Sequence, residues 1–115
     1  MNGKELAADA YTFELKKKDA VVAEAKNAAS GEVVFNVNYT EAGEHTYTIT
    51  EKSGTEAGVT YSTESHTVKV TVADNGQGQL VATVENPNAE RVFTNTYKAA
   101  STSATIKAKK VFLLL

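Results

Sequence analysis

Three side chains capable of chemistry stand where strand alternation calls for apolar residues. Glu51 follows Tyr47 and Ile49, Asn95 lies between Phe93 and Tyr97, and Lys110 follows Ile106 and Ala108. Residues two apart in a strand share a face, so each of the three is expected to point into a core. An unpaired amide buried there costs roughly 2–7 kcal/mol, and an unpaired charge more. The three are therefore expected to be partners. Lysine brings an amine nucleophile, asparagine a carboxamide carbon, and glutamate a group that can move a proton between them. In water such a set is inert, because the amine is protonated and the amide is a poor electrophile. Burial disfavours both charged forms, so a neutral amine can face a protonated carboxyl group. Phase selects Lys110 as the inward lysine, with Lys109 as the fallback donor.

The elements that must position them are strands. Thr, Val and Tyr are abundant, and the single Pro, Pro87, stands in the turn-like run Glu85-Asn86-Pro87-Asn88. Apolar and polar residues alternate over 11–16, 21–25, 32–39, 45–51, 66–73, 80–85, 91–97 and 104–112, as in half-buried antiparallel strands. Ser30-Gly31, Glu41-Ala42-Gly43, Ser53-Gly54 and Asp74-Asn75-Gly76-Gln77-Gly78 supply the turns between them. Turns at this spacing indicate a β-sandwich. Segments 4–10 and 23–29 have the length for a helical turn but little apolar periodicity. Phe13, Phe35, Tyr47, Phe93 and Tyr97 are the aromatic residues expected to wall the pocket and exclude water.

Composition excludes several classes. At 115 residues the chain is one domain, and its net charge of −2, with scattered Lys and Arg, gives no nucleic-acid footprint. It has no Cys, so neither a disulfide nor a thiolate metal site is available. His45 and His66 are isolated, show no metal-ligand spacing and read as surface residues; no metal or cofactor is expected. No apolar run approaches the ~20 residues of a membrane span, and the Phe112-Leu113-Leu114-Leu115 tail is expected to pack against something. Met1-Asn2-Gly3 opens no signal-peptide pattern, so the chain reads as an excised piece.

With these residues laid out, the chain resembles the pilin isopeptide-linkage domains of Gram-positive surface proteins, relatives of the B-type repeats of collagen adhesins. The resemblance covers about residues 3–97. It is carried by Tyr11-Thr12-Phe13-Glu14-Leu15, Ala42-Gly43, Tyr47-Thr48-Ile49-Thr50-Glu51, Gly58-Val59-Thr60-Tyr61, Thr67-Val68-Lys69-Val70-Thr71-Val72 and Val92-Phe93-Thr94-Asn95-Thr96-Tyr97. It implies an all-β, immunoglobulin-like antiparallel β-sandwich. It also implies an isopeptide bond between a first-strand Lys and a last-strand Asn, promoted by a Glu. Asn95 matches the acceptor and Glu51 the acid, which is expected to bond the Asn95 carbonyl, polarise it and pass a proton to the departing ammonia.

The donor strand is displaced. The family's donor strand precedes a Gly-Lys-Glu-Leu segment, but here Gly3-Lys4-Glu5-Leu6 opens the chain and a segment similar to that strand, 104–111, closes it. The expected organisation is a sandwich over 1–97 that lacks its first strand, a linker over 98–103 and the relocated strand in 104–115. That strand could fold back, or enter a neighbouring molecule and build a head-to-tail assembly. Folding back asks the seven residues from Lys98 to Ala104 to run back alongside 91–97, and at roughly 3.3–3.6 Å per residue they barely reach. The function implied is a structural module of a pilus or cell-wall surface protein, outside the cell, held by an autocatalytic single-turnover bond and partnered by neighbouring domains or copies of itself. A ligand-binding adhesin domain, recognising a host protein or glycan through its loops, is the alternative.

Overall fold

The computed structural model describes residues 5–115. Residues 1–4, with the beginning of the Gly-Lys-Glu-Leu segment and of the stretch considered for a helical turn, lie outside the described residues. The protein is an all-β, immunoglobulin-like antiparallel sandwich. Its strands are β1 (Thr12–Lys17), β2 (Ala20–Lys26), β3 (Gly43–Glu51), β4 (Val59–Thr60), β5 (Ser65–Asp74), β6 (Leu80–Val84) and β7 (Thr96–Tyr97). Neither stretch considered for a helical turn is helical among the described residues: 23–26 belongs to β2, and 27–29 is loop and turn.

The larger sheet runs β2-β1-β3-β5-β6, antiparallel throughout. Period-2 alternation sets its inner face: Tyr11, Phe13 and Leu15 are buried along β1 and just before it, Tyr47 and Glu51 on β3, and Val70 and Val72 on β5. Leu15, Tyr47, Val70 and Val72 form the core cluster. Burying each of the three aliphatic members contributes roughly 1.5–3 kcal/mol. The β5–β6 hairpin is closed by side-chain turns, in which Asp74 Oδ1 accepts from Gly76 N and Asn75 Oδ1 from Gln77 N, each at 2.8 Å.

Among the described residues the second layer has little ladder pairing, β4 with β7 alone. Residues 32–39 alternate as a strand does: Val33, Phe35, Val37 and Tyr39 are half-buried, while Glu32, Val34, Asn36 and Asn38 are exposed. Phe35, Val37 and Tyr39 pack on the core cluster. Yet this segment joins no sheet ladder among the described residues. The stretch 91–97 alternates likewise, with Arg91, Phe93 and Tyr97 half-buried and Asn95 buried, but only its last two residues pair, as β7 against β4. The expected strands at 32–39 and 91–95 thus have the side-chain pattern of strands without the hydrogen bonding. A ladder needs a neighbour on its edge, and among the described residues these edges have none.

The expected strand over 104–112 does not form, and the tail expected to pack against something is exposed among the described residues. Residues 100–115 are exposed and carry no secondary structure, with Ile106 at 92% and Leu114 at 96% exposure. A lone strand has no partner for its backbone groups. The segment extends the molecule to 107 × 25 × 19 Å, and the radius of gyration is 24.4 Å against roughly 13 Å for a compact chain of this length.

Neither histidine is a free surface residue. His45 stacks beside Tyr39, with ring centroids 4.8 Å apart, and its Nδ1 lies 2.8 Å from Lys17 Nζ. His66 bonds the Val92 carbonyl at 2.8 Å and stands edge-on to Phe93. Nothing local in the sequence marks the aromatic neighbours that the fold supplies, so the expectation of two surface histidines is not met.

Candidate functional site

Glu51 is the last residue of β3 and pairs with Phe13 of β1. Alternation from Tyr47 through Ile49 turns it inward, and it is 8% exposed. Asn95 comes from the far layer, one residue before β7, and is 6% exposed. Three residues on from Asn95, Lys98 N donates to the Gly58 carbonyl at 2.8 Å. Gly58 has φ +80°, and a Cβ there would stand 2.7 Å from the Lys98 carbonyl oxygen, so no other residue fits without strain.

The two side chains meet. Asn95 Nδ2 donates to Glu51 Oε2 at 2.6 Å, and the Asn95 carbonyl Oδ1 accepts from the backbone N–H of Ser62 at 2.8 Å. Glu51 therefore faces the amide nitrogen, not the carbonyl it was expected to polarise. The reason is local: Ser62 N–H occupies the carbonyl side, and a backbone N–H can only donate. Burial pushes the Glu51 carboxyl above its ordinary pKa, and the hydrogen bond from Asn95 offsets part of that rise.

The pair opens onto a groove of about 660 Å³. Phe13, Phe35, Ile49 and Phe93 give it apolar walls, and the Phe13 and Phe93 rings lie 5.2 Å apart. Residues of both segments, 32–39 and 91–95, are in its lining: Val33 and Phe35 from one, Arg91 and Phe93 from the other. Two of the aromatics expected to wall the pocket stand elsewhere. Tyr47 lies in the core with its hydroxyl 2.7 Å from that of Tyr39, and Tyr97 packs over Gly58. Burial together with that Tyr47 contact pushes the Tyr39 phenol up to about 12.

Lys110 is not in the site. It is exposed, with Nζ 4.6 Å from the centroid of the Phe112 ring, and Lys109 is exposed beside it. Sequence reasoning missed two buried polar residues, Asn27, which lines the groove, and Ser62, which bonds Asn95. Asn27, 3% exposed, accepts from Tyr11 N and donates to the Ala7 and Ala28 carbonyls, tying down the approach to β1. Ser62 was missed because its contribution is a backbone group that every non-Pro residue carries. Among the described residues no cluster of three or more His, Cys, Asp or Glu could hold a metal ion, and no helix is long and apolar enough to cross a membrane.

The model of the FctA family, a Spy0128-like isopeptide-containing domain, matches residues 1–98. The chain belongs to that family, one of pilin structural domains of surface pili. No curated protein and no solved structure gives a match. The family match stops short of the segment that carries Lys109 and Lys110.

Proposed function

We propose that this chain is a structural module of a Gram-positive pilus or wall-anchored surface protein, whose second layer is completed by the 104–110 strand of a neighbouring copy and locked by an isopeptide bond from Lys110 to Asn95. One observation carries the reading: the groove holding the buried Glu51–Asn95 pair is lined by two strand-like segments without ladder partners among the described residues, while the lysine-bearing segment is exposed. A strand laid between 32–39 and 91–95 would satisfy both edges. With Lys110 beside Asn95, alternation brings Ala108 and Ile106 onto the apolar walls and leaves Lys107 and Lys109 toward solvent.

Donation between molecules is favoured over folding back. The chain leaves the sandwich at Lys98, which is fixed to Gly58, and the short stretch to Ala104 has no slack for a reversal. Each copy would give a strand at one end and accept one in its groove, an open head-to-tail arrangement.

In the bond-forming step the neutral Lys110 amine adds to Asn95 Cγ, and its proton passes through Glu51 to Nδ2. The Cγ–Nδ2 bond then breaks, and ammonia leaves. Placement of amine and amide together is worth on the order of 7–11 kcal/mol in well-oriented intramolecular reactions. The nucleophile is consumed, so the domain is autocatalytic once and is not a turnover enzyme.

The test is intact mass under denaturing conditions. Donation gives a ladder of multimers, each short of one ammonia per link. A monomer lighter by one ammonia would mean that the strand folds back, and only unmodified monomer would remove the chemistry.

A further inference from the structure

We propose that the backbone N–H of Ser62 is a catalytic group of the bond-forming step: it holds Asn95 Oδ1 and stabilises the negative charge that develops there as the lysine amine adds to Cγ. This inference rests on the isopeptide reading above.

The geometry divides the labour between two groups. Because the Ser62 N–H can only donate, the atom 2.8 Å from it must be the amide oxygen, and the orientation of the Asn95 carboxamide follows. The nitrogen then faces Glu51 Oε2 at 2.6 Å, where a proton can be delivered to the leaving group. The bond that Glu51 makes to the carboxamide is on the nitrogen side, and the bond from Ser62 is on the oxygen side. Addition of the amine moves the carbonyl π pair onto Oδ1, and loss of ammonia from Nδ2 returns it. The charge on Oδ1 thus exists only between the two steps, and a donor fixed on it acts on the transition state more than on the resting amide.

Ser62 is placed for this work. It is 7% exposed, and its hydrogen bond to the Asn95 oxygen is buried. The Glu64 carboxylate ties the donor loop to the acceptor strand: Oε1 accepts from Ser62 Oγ at 3.1 Å and from Thr94 N at 3.2 Å, and Glu64 N donates back to Ser62 Oγ at 3.1 Å. The residue that donates and the residue before the acceptor share one anchor.

The experiment replaces the Tyr61–Ser62 peptide by an ester in the full chain, which deletes this N–H and keeps the side chain. Loss of ammonia is followed by intact mass beside the parent protein and Ser62→Ala, which retains the N–H. The ester chain is expected to slow by about 10²–10³ at unchanged circular dichroism, and Ser62→Ala by less than about tenfold. Equal rates for the ester and the parent would overturn the proposal and leave the isopeptide reading intact. An equal slowing in both variants would overturn it in favour of loop positioning. If the parent itself never loses ammonia, both readings fall. Should the ester chain not fold, the scalar coupling between Ser62 ¹⁵N and Asn95 ¹³Cγ in Lys110→Ala protein decides; its absence overturns the proposal.

Discussion

Glu51 Oε2 accepts a hydrogen bond from Asn95 Nδ2 at 2.6 Å, across the two layers of the sandwich and between residues 44 apart in sequence. One oxygen of a buried carboxyl group therefore stands against the atom that would leave as ammonia. If that contact is a proton relay, Glu51→Gln keeps an acceptor for Asn95 but loses the transferable proton. The variant is expected to stay folded and to form the bond at least about 10²-fold more slowly. Intact mass against time checks this, and an unchanged rate would remove Glu51 from the chemistry.

Stability should depend on pH through the same group. Burial raises the Glu51 pKa in the folded state, so the folded protein binds this proton more tightly than the unfolded chain does. The contribution is fully present below the ordinary value of 4.5 and is lost as pH rises through the raised value. In unlinked Lys110→Ala protein, the stability difference relative to the Lys110→Ala, Glu51→Gln double variant should fall over that window and then level. Urea unfolding at a series of pH values measures it; a difference that rises with pH would contradict the sign.

Lys110 and Lys109 are distinguished by strand phase alone. Lys110→Ala is expected to abolish the ammonia loss, whereas Lys109→Ala should leave it close to the parent rate. Tandem mass spectrometry of tryptic digests would locate the bond, and a cross-linked peptide containing Lys109 in the parent would shift the strand by one residue and invert its faces.

Gly58 supports the site without touching it. Its φ of +80° and the close Lys98 carbonyl leave no space for a Cβ. Gly58→Ala should cost about 1–3 kcal/mol of stability and loosen the β4–β7 pair that carries the chain onward from Asn95. Denaturant midpoints of unlinked Lys110→Ala protein, with and without the second change, test this; equal midpoints would show that the backbone relaxes at no cost.

The local pattern was legible, and the partnerships were not. Alternation within Tyr47, Ile49 and Glu51, and within Phe93, Asn95 and Tyr97, is a period-2 property of a few consecutive residues, so the inward direction of Glu51 and Asn95 could be read directly. The turn residues likewise delimited β5 and β6. The same alternation in 32–39, 91–95 and 104–112 led to expected strands that are not paired, because side-chain period is local whereas a ladder requires a second backbone from elsewhere.

By itself, then, the sequence determined a β-sandwich of this family and which side chains face its interior. The tertiary structure decided which atoms meet there. It set the Asn95 carbonyl on Ser62 N–H and its nitrogen on Glu51, and it placed both histidines among aromatic rings. It also left a lined groove open while the lysine-bearing segment lay outside it, exposed and without secondary structure. Hydrogen-bond direction and strand completion depend on groups far apart in the chain, and a backbone N–H carries no signature in residue type.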